Sequence, residues 1–277
     1  MNYLIRKLIN KNSSTSSTKA GRPKEVTEIL EEQLDTGLKE FKRSHSHLFI
    51  SAFAAGLEIG FSLLFMGSIF TLFNGDVSAE QMKLFLGLGY SVGFIFVIIG
   101  RSELFTEHTA LAILPVLDKS ASLKELLTLW GLVYSGNLIG GYIFSLIITN
   151  IAPAVGFINY DAFHHIAHEL VDYKWQTIFL SALLAGWMMG LLGWLVTSSQ
   201  ETISRILVIV LVTFIIGLTG LHHCIVGSIE VFSGFLTSSS ITFDSYLKFQ
   251  IWATLGNAIG GAVFVSVLKY GHANNDR

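Results

Sequence analysis

GNLIGGYIF, residues Gly136 to Phe144, returns 120 residues later as GNAIGGAVF, Gly256 to Phe264, with six of nine positions identical. A second pair, SAFAAGLEIG (Ser51 to Gly60) and SALLAGWMMG (Ser181 to Gly190), matches at five of ten positions with an offset of 130. Coincidence among glycine-rich helices could produce one such match. Two matches in the same order point instead to two related halves, the first carrying about ten extra residues between its first two apolar stretches.

The composition says where such halves reside. Of 277 residues, 51% are hydrophobic and 14% charged, with mean hydropathy +0.58. Soluble domains carry about a quarter charged residues. Six apolar stretches, 48–73, 84–106, 126–149, 176–197, 206–235 and 246–268, are long enough to cross a hydrocarbon core as helices. Helices are required because lipid offers backbone groups no partner, and the alternating ten-residue pattern of a membrane barrel is missing. The expected fold is therefore all-α and polytopic, with six transmembrane helices. Three per half forces the second half to enter from the opposite side, which gives an inverted repeat.

Fourteen Lys and Arg fall on the side of the termini and three (Lys83, Lys174, Lys248) on the other, with Arg101 left out because it lies within the membrane region. The positive-inside rule then places both termini in the cytoplasm. Three units are expected: a cytoplasmic tail over 1–47, a channel-like domain over 48–270 and a cytoplasmic end over 271–277. No signal peptide is visible at the Ser/Thr-rich start. Residues 8–24 read as disordered. From Val26 to Phe41, Ile29, Leu30, Leu34, Leu38 and Phe41 recur at helical spacing, with Glu early and Lys/Arg late. That is an amphipathic helix on the cytoplasmic face.

The offset of 120 also aligns Gly100 with Gly220, and so GRSELFTEHT (100–109) with GLHHCIVGSI (220–229). The second stretch with its continuation covers about 34 residues and the fifth about 30, or roughly 45 Å of straight helix for a core of roughly 30 Å. Helices 2 and 5 should therefore be broken at corresponding places, the pattern that marks a central translocation site.

The GRSELFTEHT stretch, the paired GN-IGG motifs and a histidine in a broken fifth span resemble the formate/nitrite transporter family. The resemblance covers roughly residues 45–270. It implies an aquaporin-like protomer, a homopentamer, a bacterial inner-membrane location and one pore per protomer for small monovalent anions or their weak acids. By this resemblance His223 is the central histidine and Thr106 the loop threonine. The chain departs from the family pattern at Glu107-His108 after ELFT, at His222 before the histidine, at Gly227 four residues after it, and at Glu58 in the first span.

The residues suggest a chemistry. A small carboxylic acid has a pKa of about 4, so at neutral pH roughly one molecule in a thousand is uncharged. The anion is costly in a dry slit and the neutral acid far less so. An imidazole at mid-membrane can stabilise the anion and donate or relay a proton. The candidate pore residues are His223, Thr106, Phe94 and Phe214, the two phenylalanines as apolar gates. Each has a plain alternative: His223 as a core histidine bonded to a loop carbonyl, the phenylalanines as core or lipid-facing. The offset of 120 sets Glu103 opposite His223, where it either caps loop NH groups or meets substrate. Asn137 and Asn257 are expected to tie down the broken loops. Arg101 either pairs with Glu103, Glu107 or Glu58 or snorkels to the interface. Glu107, Glu58 and His222 are further charge modulators, His222 serving packing.

Other chemistry finds little support. His164, His165 and His168, with Asp161 and Asp172, could hold a metal, but a short amphipathic surface helix is the plainer reading. No metal or cofactor is expected. Cys224, the one cysteine, excludes an internal disulfide and reads as an apolar filler. No hydrolase spacing or HExxH pattern appears, so an enzyme is not expected. A net charge of −2 argues against nucleic acid. The expected partners are a small anion or weak acid, lipid, and further copies of the chain. Two alternatives remain: a sensor or scaffold that kept the pore fold, and a neutral-solute channel, although the aquaporin NPA pair is absent.

Overall fold

A computed structural model describes residues 22–263 and 270–271. Its elements are helical: α1 Val26–Lys42, α2 His45–Phe73, α3 Ala79–Gly100, α4 Phe105–Leu111, α5 Ile113–Leu117, α6 Leu123–Val155, α7 Tyr160–Val171, α8 Trp175–Ser198, α9 Thr202–Thr219, α10 Val226–Thr237 and α11 Phe243–Val263. Among the described residues α2, α3, α6, α8 and α9 are long and apolar enough to cross a membrane. The remaining expected span, 246–268, coincides with α11 only as far as Val263, and 264–268 lie outside the described residues.

The glycines of the repeat explain how its helices pack. α2 lies along α6, and α8 along α11. A Cβ at Gly136 would stand 3.0 Å from the Phe49 carbonyl oxygen, and one at Gly256 2.5 Å from that of Phe179. At Gly140 and Gly260 it would stand closer still to the carbonyls of Phe53 and Leu183. Only a residue without a Cβ allows this approach. The contacts obey the two sequence offsets, 120 between the glycines and 130 between their partners.

α3 and α9 pack against each other and stop short. α3 ends at Gly100, with Arg101 in the left-handed region at φ 60°; α9 ends at Thr219, with Gly220 at φ 64°. After each turn the chain enters a short helix, α4 or α10. A side chain in that region costs roughly 1–2 kcal/mol, which Gly220 escapes and Arg101 does not.

Helix α1 seals one end. Leu30 and Leu34 are fully buried against Ala110, Leu114 and Trp194. Its exposed side carries Arg22–Glu28 and Lys24–Glu32 ion pairs, and Lys24 Nζ donates to the Thr197 carbonyl at 2.7 Å. Of the expected disordered segment only 22–24 are described, and of the C-terminal end only Gly271. At the opposite end α7 buries Phe163, Ile166, Ala167 and Leu170 and packs on α10. His165 stacks on Phe70 at 4.5 Å, and burial lowers its pKa. Among the described residues, His164, His165 and His168 do not converge as metal ligands.

Candidate functional site

Two asparagines organise the breaks, and they do so in the same way. Asn137 Oδ1 accepts from the Phe105 amide at 2.8 Å, and its Nδ2 donates to the carbonyls of Ala52 and Glu103, both at 2.8 Å. Asn257 Oδ1 accepts from the Cys224 amide at 2.7 Å, and its Nδ2 donates to the carbonyls of Ala182 at 2.7 Å and His222 at 3.0 Å. Both asparagines are fully buried. Each satisfies an amide and a carbonyl that lost their helical partners at the break, as buried backbone requires, and ties them to a carbonyl within a neighbouring helix. The two amides held by the asparagines, Phe105 and Cys224, differ by 119 in sequence, as do the two carbonyls, Glu103 and His222. The two breaks are equally long, four residues from the left-handed Arg101 to Phe105 and from Gly220 to Cys224, but they correspond at an offset of 119 and not 120. Leu104, not Glu103, occupies the place corresponding to His223.

This bonding brings the starts of α4 and α10 together. His223 Nε2 and Thr106 Oγ1 are 2.8 Å apart, and both residues are at most 1% exposed. The backbone amides of Ile225 and Val226 point at His223 Nδ1 from 3.4 and 3.3 Å. With Nδ1 accepting, the proton of the neutral ring sits on Nε2 and is donated to Thr106 Oγ1. The Thr106 hydroxyl proton is then free to donate to a third group. The Phe94 ring stands edge-on to the His223 ring at 5.3 Å. Phe214 lies apart from this pair, half-buried on α9 against Gly87 of α3.

The charged candidates separate into distinct places. Glu103 turns away from the loop amides: it pairs with Arg43, and its Oε2 lies 2.5 Å from His108 Nε2. Arg43 also reaches Glu40 at 2.7 Å, so the junction of α1 and α2 is tied to α4, two residues from Thr106. Glu40, Glu103 and His108 have ligand atoms within 4.8 Å of one another, and Arg43 binds both carboxylates there. Glu107 is half-buried beside this group. Arg101 is exposed and forms no ion pair with Glu58, Glu103 or Glu107 among the described residues. Glu58 Oε2 is buried without a hydrogen-bond partner on α2, facing Gly100. His222 is engaged at both ring nitrogens: Nδ1 meets Ser181 Oγ at 2.8 Å, and Nε2 donates to the Leu170 carbonyl at 3.0 Å, tying the break to α7 and α8. Sequence reading passed over Arg43, because it lies 60 residues from its partner.

With this geometry in hand, the comparisons with known proteins are decisive. A family model described as formate/nitrite transporter matches residues 27–271. The chain belongs to the formate/nitrite transporter family. It is 32% identical over 261 residues to the inner membrane protein YfdC of Escherichia coli strain K12, covering 92% of this chain and 81% of the relative. Among solved structures, one described as an FNT family ion channel superposes with a TM-score of 0.76 at 22% identity, covering 89% of this chain and 99% of the other. A second, described as a pentameric formate channel with formate bound, gives 0.71 at 24% identity, covering 82% and 97%. The apolar helices together with these relatives make this formate/nitrite transporter family member an integral membrane protein of the same fold.

Proposed function

We propose that the protein is a membrane channel for small monovalent anions of formate and nitrite size, or for their neutral acids. The carrying observation is the Thr106–His223 contact between the starts of two half-helices. Helix N-termini favour negative charge, and two of them meet here with a buried hydroxyl and an imidazole N–H. The anion is received by Thr106 and oriented by backbone amides of the two loops, and His223 stabilises it and relays a proton through Thr106. Phe94 and Phe214 close the passage on its two sides as apolar gates. Asn137 and Asn257 hold the loops in register, and Arg101, Glu103, Glu107, Glu58 and His222 modulate the surrounding charge. The positive-inside count favours cytoplasmic termini, and the likeness to a pentameric formate channel favours a homopentamer in a bacterial inner membrane. Nothing in the donor set calls for a cofactor or for catalysis.

Stopped-flow flux in proteoliposomes across pH, with formate, nitrite, acetate, lactate and hydrosulfide, tests the proposal. Flux should be largest for the smallest acids. It should rise as pH falls toward the acid's pKa, because the uncharged fraction grows tenfold per pH unit above it. Rates equal to empty liposomes for every solute would instead favour a sensor or scaffold. Glycerol flux without acid flux would favour a neutral-solute channel.

A further inference from the structure

Glu230 lies on α10, seven residues beyond His223, and is 4% exposed. It takes no part in the contacts that hold the centre. No basic side chain pairs with it, and no charged neighbour acts on it, among the described residues. Ser233, one turn further along the same face, buries its Oγ without a partner. On α3, Tyr90, 5% exposed, also buries its hydroxyl without a partner, and the Glu230 carboxyl is among the charges that act on it. The Tyr90 ring stands 5.3 Å from Phe94, and Phe94 stands 5.3 Å from His223. The series His223, Phe94, Tyr90, Glu230 therefore leads from the centre toward the start of α3 and the end of α10. That is the outer half when the termini are cytoplasmic.

The other neighbours are apolar or engaged elsewhere. Gly227 and Gly234 flank Glu230 and admit Phe249 of α11 and Ala167 of α7. From α6, Ser145 donates to the Ile229 carbonyl, and from α11 Tyr246 bonds Ser228 on the opposite face of α10. On α7, His165 is stacked on Phe70. On α2 the carboxylate of Glu58 faces Gly100 at the far end of α3. Cys224 approaches from the break, within reach of Tyr90. A lone carboxylate in such surroundings costs several kcal/mol, so the group is held as the neutral acid. Glu230, Tyr90 and Ser233 then offer three buried O–H donors, none of them bonded to a base among the described residues.

We propose that Glu230, Tyr90 and Ser233 form a second, outer site that receives a small monovalent oxyanion and protonates it before it reaches Phe94 and His223. This rests on the weak-acid reading above. The Glu230 O–H bond breaks, its proton passes to an anion oxygen, and the neutral acid moves on. The Glu230 carboxylate left behind accepts from the Tyr90 and Ser233 hydroxyls until external water returns a proton. One proton thus crosses with each anion. The two acids are of similar strength in water, about 4 for both, and the arriving anion bears the same burial cost as the carboxylate it leaves behind, so the transfer lies near balance.

The test pairs flux with chemical labelling on the full-length protein in liposomes. Dicyclohexylcarbodiimide adds to carboxyl groups that carry their proton in apolar surroundings, and peptide mass spectrometry locates the adduct. The expected result is an adduct at Glu230 whose formation slows in formate. Glu230→Gln should pass formate at least about tenfold more slowly, the equivalent of 1.4 kcal/mol, with partial recovery in Glu230→Asp. Wild-type flux in Glu230→Gln, or no adduct at Glu230 in the wild-type protein, would overturn the outer site. A wild-type protein that moves no weak acid would overturn the weak-acid reading and this step together, a result distinct from equal flux in wild type and variant.

Discussion

Replacing His223 with phenylalanine is expected to reduce formate and nitrite flux by roughly 10- to 100-fold while leaving the protein folded. The reduction follows from what Nε2–H does. It donates to Thr106 Oγ1 at 2.8 Å in a place where both groups are buried, and with Nδ1 committed to the amides of Ile225 and Val226 it is the one proton the ring can offer. A hydrogen bond to a charged partner is worth about 1.5–3 kcal/mol, and each 1.4 kcal/mol is tenfold. His223→Asn, whose side chain keeps a donor, should retain part of the flux. Proteoliposome stopped-flow with matched protein loading reads both. Equal flux in the phenylalanine variant and wild type would reduce His223 to a packing residue.

The second large effect is on stability. Asn257→Leu removes the acceptor for the Cys224 amide and the donor for the carbonyls of Ala182 and His222. Leucine fills the volume and bonds none of the three. The Cys224 amide and the His222 carbonyl are left unpaired, at about 1–3 kcal/mol each, so the variant should lose about 2–6 kcal/mol and melt on the order of 10 °C lower. Asn137→Leu should behave alike, since its three bonds repeat the same pattern. Thermal unfolding in detergent, followed by tryptophan fluorescence, reads the shift. A melting temperature within 2–3 °C of wild type (about 1 kcal/mol) would mean that relaxed backbone or water replaces the asparagine.

The comparison between sequence and structure turns on which contacts obey the repeat. Asn137 and Asn257 could be singled out because each sits in a GN-IGG stretch whose glycines must meet a backbone, and that requirement preserves spacing in both halves. The pairing of Glu103 with His223 failed for a local reason. The two breaks correspond at an offset of 119 while the glycine motifs keep 120, and a one-residue shift within so short a stretch leaves no trace in apolar flanks; the bonds to the two asparagines reveal it. Glu103 was expected at the loop amides or the substrate, but Asn137 already binds the Phe105 amide. The carboxylate is thus free to pair with Arg43 and His108. Arg43 could not be foreseen from the repeat, because its counterpart at the offset of 130, beside α7, is the uncharged Tyr173. Phe94 and Phe214 share an offset of 120, yet among the described residues it is Phe94 whose ring stands against His223, while Phe214 lies against Gly87. The departures at Glu107-His108 mark where this chain differs from its family motif, and there the cluster joining α1 to α4 has formed.

The central claim is that a small anion passes between Thr106 and His223. The most direct measurement is a difference map between crystals grown with and without formate. The account predicts new density within hydrogen-bond distance of Thr106 Oγ1 and His223 Nε2, with the Asn137 and Asn257 loops unmoved. Density confined to some other route, with the Thr106–His223 contact intact and unoccupied at saturating formate, would contradict it.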